Sequence, residues 1–298
     1  MPTYRKLEGR HHPLVRRVRR MLRSGELIDT RSGELRAVRS DTARSGRRSD
    51  GDAVLLETVR MIEDALAAGV PISALLVRTN VKARFGALIA RLPAGTALYE
   101  VAPALFDTLV TTETSPGILA LAEPPSWRAQ DLFPSGRPAL ILVLAGLQDP
   151  GNLGTILRAA EAFGATGVVL APGTVSPYNS KALRATAGAI FRIPILRGLP
   201  AKQIVSLLRR KRVQLFATVV TGGMPPALAD FSVPLALVLG SEAAGIPPEL
   251  RAAGEPLTIP LAPRAESLNV AAAASVVLYE IARQRAEPRL PAPSVAEG

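Results

Sequence analysis

The side chains of this chain best placed to do chemistry fall in three short segments of its second half. Asn152 and Arg158 stand in NLGTILR, Gly240 and Glu242 in GSEAAGI, and Ser267 and Asn269 in SLNV. Each segment follows an apolar, strand-like run. Parallel α/β sheets gather their ligand loops at the carboxyl ends of such strands, so one site could receive all three.

Residues 140–171, LILVLAGLQDPGNLGTILRAAEAFGATGVVLA, read as a buried strand, a sharp turn at Asp149-Pro150-Gly151-Asn152, a helix and a second strand. Asn152 is suited to cap that helix, while Gly151 and Gly154 let backbone approach a ligand closely. Alone, this segment fits a plain βα turn or a phosphate-cradling loop. It is not GxGxxG, and no GKS or GKT phosphate loop occurs in the chain. Arg158 lies within an otherwise apolar helix start, where an unpaired cation is costly. It therefore calls for an anion: a carboxylate such as Glu161, or a phosphate or reacting ribose. Glu242 reads either as a plain loop carboxylate or as the group that orients Arg158 or binds a ligand hydroxyl. Ser267 reads as the cap of the last helix, and the pattern buries Asn269, which then needs hydrogen-bond partners. Ile259, Leu261 and Leu268 either pack a core or line an apolar slot suited to an adenine.

The elements that must position these groups come in two α/β series. Strands are expected at 139–146, 167–171, 190–195, 213–219, 234–239 and 256–260, with helices at 153–164, 201–211 and 267–285 and a further helix start at Pro247 or Pro248. Upstream, strands at 53–57, Leu75–Arg78, Ala97–Val101 and 117–123 alternate with helices at 58–68, Lys82–Leu92 and 103–110. That alternation predicts a smaller α/β domain with a mostly parallel sheet. Between the two, 124–138 holds four prolines without periodicity and reads as a linker. The organisation expected is thus an arm and first domain over 1–123, a linker over 124–138, a second domain over 139–285 and a Pro-rich, frayed tail over 286–298.

Composition narrows the partners. The chain has 298 residues, 48% apolar, enough for two packed domains. Cysteine is absent, which excludes disulfides and thiolate metal sites and fits a reducing cytoplasm. The longest apolar stretch, Ala139 to Leu147, is far short of the ~20 residues of a membrane span. No uninterrupted apolar segment follows the basic N-terminus, so a secretory signal is not expected. Two adjacent histidines, His11 and His12, offer no metal site. Net charge is +11, and fourteen of the 36 Lys and Arg but only six of the 25 Asp and Glu lie within residues 1–50. Such a polarised arm suits a polyanion, nucleic acid ahead of a membrane surface. Within it, PLVRRVRRMLR at 13–23 forms an amphipathic basic helix, followed from about Ile28 to Asp52 by a flexible insertion or polar hairpin.

Together the three segments resemble the signature motifs of the SpoU/TrmH-type RNA 2'-O-ribose methyltransferases. NLGTILRAAEAFGA is similar to the first motif, LVLGSEAAGI to the second and IPLAPRAESLNVAAAASVVLYE to the third; SPYNSKALRATAGAIFRIPI at 176–195 also resembles the family. The likeness covers 139–285. A weaker one, through LLETVRMIEDALAAG and TSPGILALAE, links the first domain to the RNA substrate-binding domain many members carry. Thr58 and Pro263 stand where members often have glycine.

The resemblance implies an α/β methyltransferase domain of the SPOUT superfamily, its C-terminal segment threaded as a deep trefoil knot. It implies S-adenosylmethionine bound against Thr218, Leu239, Gly240, Ile259, Leu261 and Leu268, with Arg158, Asn152, Glu242, Ser267 and Asn269 serving methyl transfer to a ribose 2'-hydroxyl. It also implies a homodimer with the active site near the subunit interface. A guanidinium holds its proton too firmly to be a good base, so Arg158 is expected to engage RNA phosphate and stabilise charge developing on the 2'-oxygen. Ribosomal RNA is favoured over transfer RNA as substrate. A non-catalytic RNA-binding or ribosome-assembly protein on the same scaffold is the alternative, and the missing GxGxxG counts against a nicotinamide oxidoreductase.

Overall fold

The computed structural model describes residues 3–24, 53–111 and 115–286. The expected insertion at 28–52 lies outside the described residues, as does all of the expected tail except Ala286.

The first sheet contains β1 (Tyr4–Leu7), β2 (Val54–Leu56), β3 (Ile72–Arg78), β4 (Ala97–Val101) and β5 (Ile118–Ala122), in the order β1-β4-β3-β5-β2. Pairing is parallel for β1 with β4 and for β3 with β4, and antiparallel on both sides of β5. Four strands therefore share one direction, as the alternation predicts, and only β5 slips between β3 and β2 running opposite. Helix α1 (Pro13–Ser24) covers one face, burying Val15, Val18 and Met21 as its apolar stripe requires. Helix α2 (Val59–Ala67) is capped by Thr58, whose hydroxyl accepts from the Met61 amide at 3.2 Å.

Two helices expected here are shorter than the pattern suggests. Lys82–Leu92 is instead a 3₁₀ turn, Thr79–Phe85, followed by α3 (Gly86–Ile89); the second expected helix is α4 (Pro103–Phe106). Gly86 and Pro93 bracket α3, and neither residue favours helix propagation. Strand β1 is not legible in the sequence because its four residues carry only one buried apolar side chain, Leu7.

The second sheet is wholly parallel: β6 (Leu140–Ala145), β7 (Gly167–Leu170), β8 (Ile195–Arg197), β9 (Gln214–Thr218), β10 (Leu235–Gly240) and β11 (Glu255–Leu257), ordered β11-β9-β10-β6-β7-β8. All of β6 and nearly all of β10 is buried, as unbroken apolar strands covered on both faces must be. Helices α5 (Pro150–Ala162) and α9 (Val270–Ala286) pack one face; α7 (Ala201–Arg210) and α8 (Pro248–Ala253) pack the other. A further helix, α6 (Ser180–Thr186), lies against α5 so closely that a Cβ on Gly154 would come within 2.5 Å of the Ala182 carbonyl oxygen. The sequence pattern does not show it, although Asn179 caps it through a 2.9 Å bond to the Lys181 amide. The strand expected at 190–195 begins later, at Ile195. Pro194 cannot donate to a ladder, and only its carbonyl pairs, with the Val168 amide at 2.8 Å.

The Pro-rich stretch 124–138 is fastened to the second sheet. Its Leu132 is fully buried, and its carbonyl accepts from the Thr166 hydroxyl at 2.7 Å.

Candidate functional site

In the second sheet β6 feeds outward to β7 and β8, whereas its neighbour β10 feeds the other way, past β9 to β11. Loops leaving β6 and β10 therefore diverge, and a crevice opens between them at a topological switch point. The register is what aligns them: Gly240 pairs with Ala145, so the two strands end level. Asn152 follows the first strand and Glu242 the second.

The switch point is built from backbone constraints. Asp149, not Asn152, caps α5, accepting from the Asn152 amide at 2.7 Å with Pro150 at the first helical position. Lys181 binds the same carboxylate at 2.9 Å. That ammonium first, and the Asn152 amide second, hold the Asp149 carboxyl below the ordinary carboxylate range. Relieved of capping, the Asn152 side chain is free to turn toward the crevice. Opposite, Gly240 can only be glycine, since a Cβ there would lie 2.3 Å from the Gly245 carbonyl carbon and 2.5 Å from the Ile246 nitrogen. The loop closes on itself through the Ser241–Gly245 bridge and an Ala244 amide bond to the Ser241 hydroxyl at 3.0 Å.

Three signature side chains meet there in one hydrogen-bonded chain. The Asn269 amide donates to Asn152 Oδ1 at 3.0 Å, and Asn152 Nδ2 donates to Glu242 Oε1 at 3.0 Å. They come from positions 117 and 90 residues apart in sequence. Asn269 is also the cap of α9, accepting from the Ala271 and Ala272 amides at 2.9 and 3.3 Å. One side chain thus starts the last helix and ties it to the first motif.

Two expectations fail here. Asn269 is exposed rather than buried, because it stands before the first helical turn at a loop end. Ser267 is exposed, lies two residues too early to cap α9, and makes no hydrogen bond among the described residues.

Arg158 is also exposed, and Glu161 is not its partner: that carboxylate binds Arg192, through a 2.9 Å contact to Nη2 and a second one to Nε. Among the described residues the Arg158 side chain has no hydrogen bond or ion pair. Six residues along α5 from Asn152, it stands about 9 Å further down the axis and on another face. It does not join the Asn152–Glu242–Asn269 chain within one subunit. Its apolar neighbours in sequence are not its neighbours in space: Ile156 and Leu157 point inward, and Thr155 and Arg158 point out.

The remaining expected residues line the neighbouring strand ends. Thr218 closes β9, its hydroxyl donating to the Val238 carbonyl at 3.0 Å. Leu239 is buried in β10, Ile259 packs against the core and Leu261 is half-buried. Leu268 is left 38% exposed, with Met224 equally so and Val220 more. Exposed apolar side chains such as Leu268 suit an aromatic ring with polar edges, the chemistry of an adenosine-bearing cofactor. Asp149 and Lys181 are absent from the residues expected, although Asp followed by Pro at a strand-to-helix turn is a recognised helix-start signal.

The fold is similar to those of two solved methyltransferase structures. An AdoMet-bound rRNA methyltransferase from Sinorhizobium meliloti is 29% identical over 94% of this chain and 98% of its own, with a TM-score of 0.74. The SpoU methyltransferase AviRb from Streptomyces viridochromogenes, in complex with AdoMet, is 26% identical over 94% of this chain and all of its own, with a TM-score of 0.77. Residues 139–279 match the SpoU rRNA Methylase family. Among curated relatives, the 23S rRNA (guanosine(2553)-2'-O)-methyltransferase RlmP of Bacillus subtilis (strain 168) is 32% identical over 78% of this chain and 90% of its own. An uncharacterized tRNA/rRNA methyltransferase of Mycobacterium tuberculosis (strain ATCC 25177 / H37Ra) is 35% identical over 85% and 81%. The chain belongs to the SpoU rRNA methylase family.

Proposed function

We propose that this protein transfers a methyl group from S-adenosylmethionine to a ribose 2'-hydroxyl of ribosomal RNA. The observation that carries the reading is the Asn269–Asn152–Glu242 chain, which joins all three signature segments at the switch point. When bound, S-adenosylmethionine supplies a methyl already activated on a sulfonium. What the protein must add is position and charge control.

Thr218, Leu239, Gly240, Ile259, Leu261 and Leu268 would hold the cofactor, the exposed apolar side chains among them being suited to a purine. Glu242, held by Asn152, accepts a hydrogen bond from a substrate hydroxyl and fixes the ribose. Asn269 keeps Asn152 in the orientation that presents its donor to Glu242. Ser267, unpartnered in its loop among the described residues, is available to the substrate. Arg158 binds RNA phosphate and stabilises negative charge developing on the 2'-oxygen.

Two copies complete the site. Ala272, Val276 and Tyr279 form an exposed apolar stripe on α9, and Tyr279 meets Phe163 edge-on at 6.2 Å beyond the end of α5. Arg158 and Ala162 occupy the adjoining exposed face of α5. A homodimer on this surface buries the stripe and brings Arg158 to the partner's reacting ribose, which explains its distance from the polar chain of its own subunit. Residues 139–285 then form the catalytic domain, with the C-terminal segment threaded as a trefoil knot, and residues 1–123 select the RNA. No helix among the described residues is long and apolar enough to cross a membrane. We place the enzyme in the cytoplasm, with its RNA.

Labelled methyl from S-adenosylmethionine, offered to unmodified ribosomal and transfer RNA separately, tests the substrate. Incorporation at one ribosomal position is expected. Incorporation into transfer RNA alone would reassign the substrate, and none into either, with cofactor bound, would make the protein a non-catalytic scaffold.

A further inference from the structure

On the face of the second sheet away from α5 and α9, helices α7 and α8 leave an open cleft of about 480 Å³ between them. Lys202, Arg209 and Arg210 line it with Ser206 and a single carboxylate, Glu249; Val205 and Ala253 form a small apolar floor. We propose that this cleft is a second RNA-backbone groove, which takes phosphates of the substrate beyond the methyl-transfer site. The proposal rests on the RNA-methyltransferase reading for the identity of its ligand.

Spacing is the first argument. Lys202, Ser206, Arg209 and Arg210 recur at helical intervals that put them on one face of α7. They extend about 12 Å along the axis, room for more than one phosphate of an RNA strand. Among the described residues, no cation of the cleft pairs with Glu249 or any other carboxylate; Arg210 only donates to Ser206 of its own helix, at 3.2 Å. The cations are therefore available to a ligand.

Placement along the helix is the second. Cations in the last turn complement the helix dipole, which would explain Arg209 and Arg210 without any ligand. Lys202 lies in the first turn, where the dipole disfavours a cation, and so is not explained that way. The turn after α7 lies outside the cleft lining: the Lys211 ammonium sits 5.3 Å from the centre of the Phe133 ring, and Arg212 holds φ = 53°, a left-handed conformation that favours glycine.

Continuity with the site is the third. Both α7 and α8 leave the carboxyl edge of the sheet and run to the opposite edge, since each joins one parallel strand to the next. The cleft between them therefore begins at the catalytic edge, where Glu249 lies seven residues after Glu242. A strand departing the reacting ribose could descend it toward Arg209 and Arg210. An acidic protein segment is disfavoured, because the cleft offers no aromatic or large apolar pocket to anchor one.

The test uses the full-length protein, an unmodified ribosomal RNA fragment and two variants, R209A/R210A and K202A. RNA affinity is measured across a salt series, with S-adenosylmethionine affinity and melting temperature as controls. For R209A/R210A the expected result is at least a tenfold loss of RNA affinity and a salt slope shallower by about 1.5–2, as two phosphate contacts would give. Cofactor affinity should hold. K202A should weaken RNA binding by a smaller factor while melting as wild type does, since Lys202 lines the cleft and is not needed to form α7. Unchanged RNA affinity and slope in R209A/R210A would overturn the groove, as would a matching loss of cofactor affinity. Failure of the enzymatic reading would show instead as a wild type that transfers no methyl, whatever its RNA affinity.

Discussion

Replacing Asn152 by aspartate keeps the size of the side chain and removes its only donor. The variant can still accept from Asn269, but it now opposes a carboxylate to Glu242 across the 3.0 Å that Asn152 Nδ2 spans. Two unit charges at that distance repel by about 1.4 kcal/mol even at the dielectric of bulk water, and by more wherever RNA or cofactor excludes water. The lost hydrogen bond adds about 0.5–1.5 kcal/mol. N152D should therefore transfer methyl at least tenfold more slowly than wild type under single-turnover conditions at pH 8. Like charges raise the carboxyl pKa values, so the pair takes up a proton as pH falls and the proton restores the missing donor. The defect of N152D relative to wild type should shrink toward pH 5, whereas that of N152A should not. A second rescue is available: in N152D/E242Q the glutamine amide can donate to the introduced carboxylate and remove the repulsion, so the double variant should outperform N152D. Equal rates for the two, with no pH dependence of the defect, would refute the reasoning.

Other consequences follow from the same geometry. In G240A the new methyl meets only backbone of Gly245 and Ile246, which cannot step aside; the overpacking should cost about 1–3 kcal/mol in thermal unfolding, and calorimetry should show S-adenosylmethionine affinity falling with it as the loop shifts. R158A should retain cofactor affinity and thermal stability, since Arg158 has no polar partner among the described residues of its own subunit, but lose transfer; near-normal turnover would remove it from the mechanism. Arg283, then Gln284, hold the Glu280 carboxyl from 4.5 down to about 2, so its contribution to α9 is complete above about 4.5 and lost as pH falls toward 2. Acid-unfolding curves of E280Q should therefore be flatter than wild type across that window. V276E, placing a charge in the exposed stripe of α9, should shift the protein from dimer to monomer in sedimentation; an unchanged mass would put the interface elsewhere.

Much of this is legible in the sequence because the physics involved is local or periodic. Strands β6 and β10 stand out as unbroken apolar runs long enough for a buried parallel strand, and α7 and α9 as periodic stripes. The signature residues Asn152, Glu242 and Asn269 are recognisable by type and spacing, and the structure does bring them together. What the sequence hides depends on direction and depth. Apolar neighbours suggest buried positions for Arg158 and Asn269, yet one points out from α5 and the other precedes the first turn of α9. The cap of α5 lies three residues before Asn152, at Asp149-Pro150, outside the signature segment. Strand β8 is displaced by Pro194, whose carbonyl alone can pair, and α6 is hidden in a loop-like run of Ser, Asn and Ala. The pairing of Asn269 with Asn152 spans 117 residues, and no local rule encodes a contact of that range.

The most direct test of the central claim is the chemical position of the transferred methyl. RNA methylated by this protein, digested to nucleosides and resolved by mass spectrometry, should carry the label on ribose, and the modified nucleotide should resist alkaline cleavage at its 3' phosphodiester. Label on a base, with alkaline cleavage intact, would contradict the account.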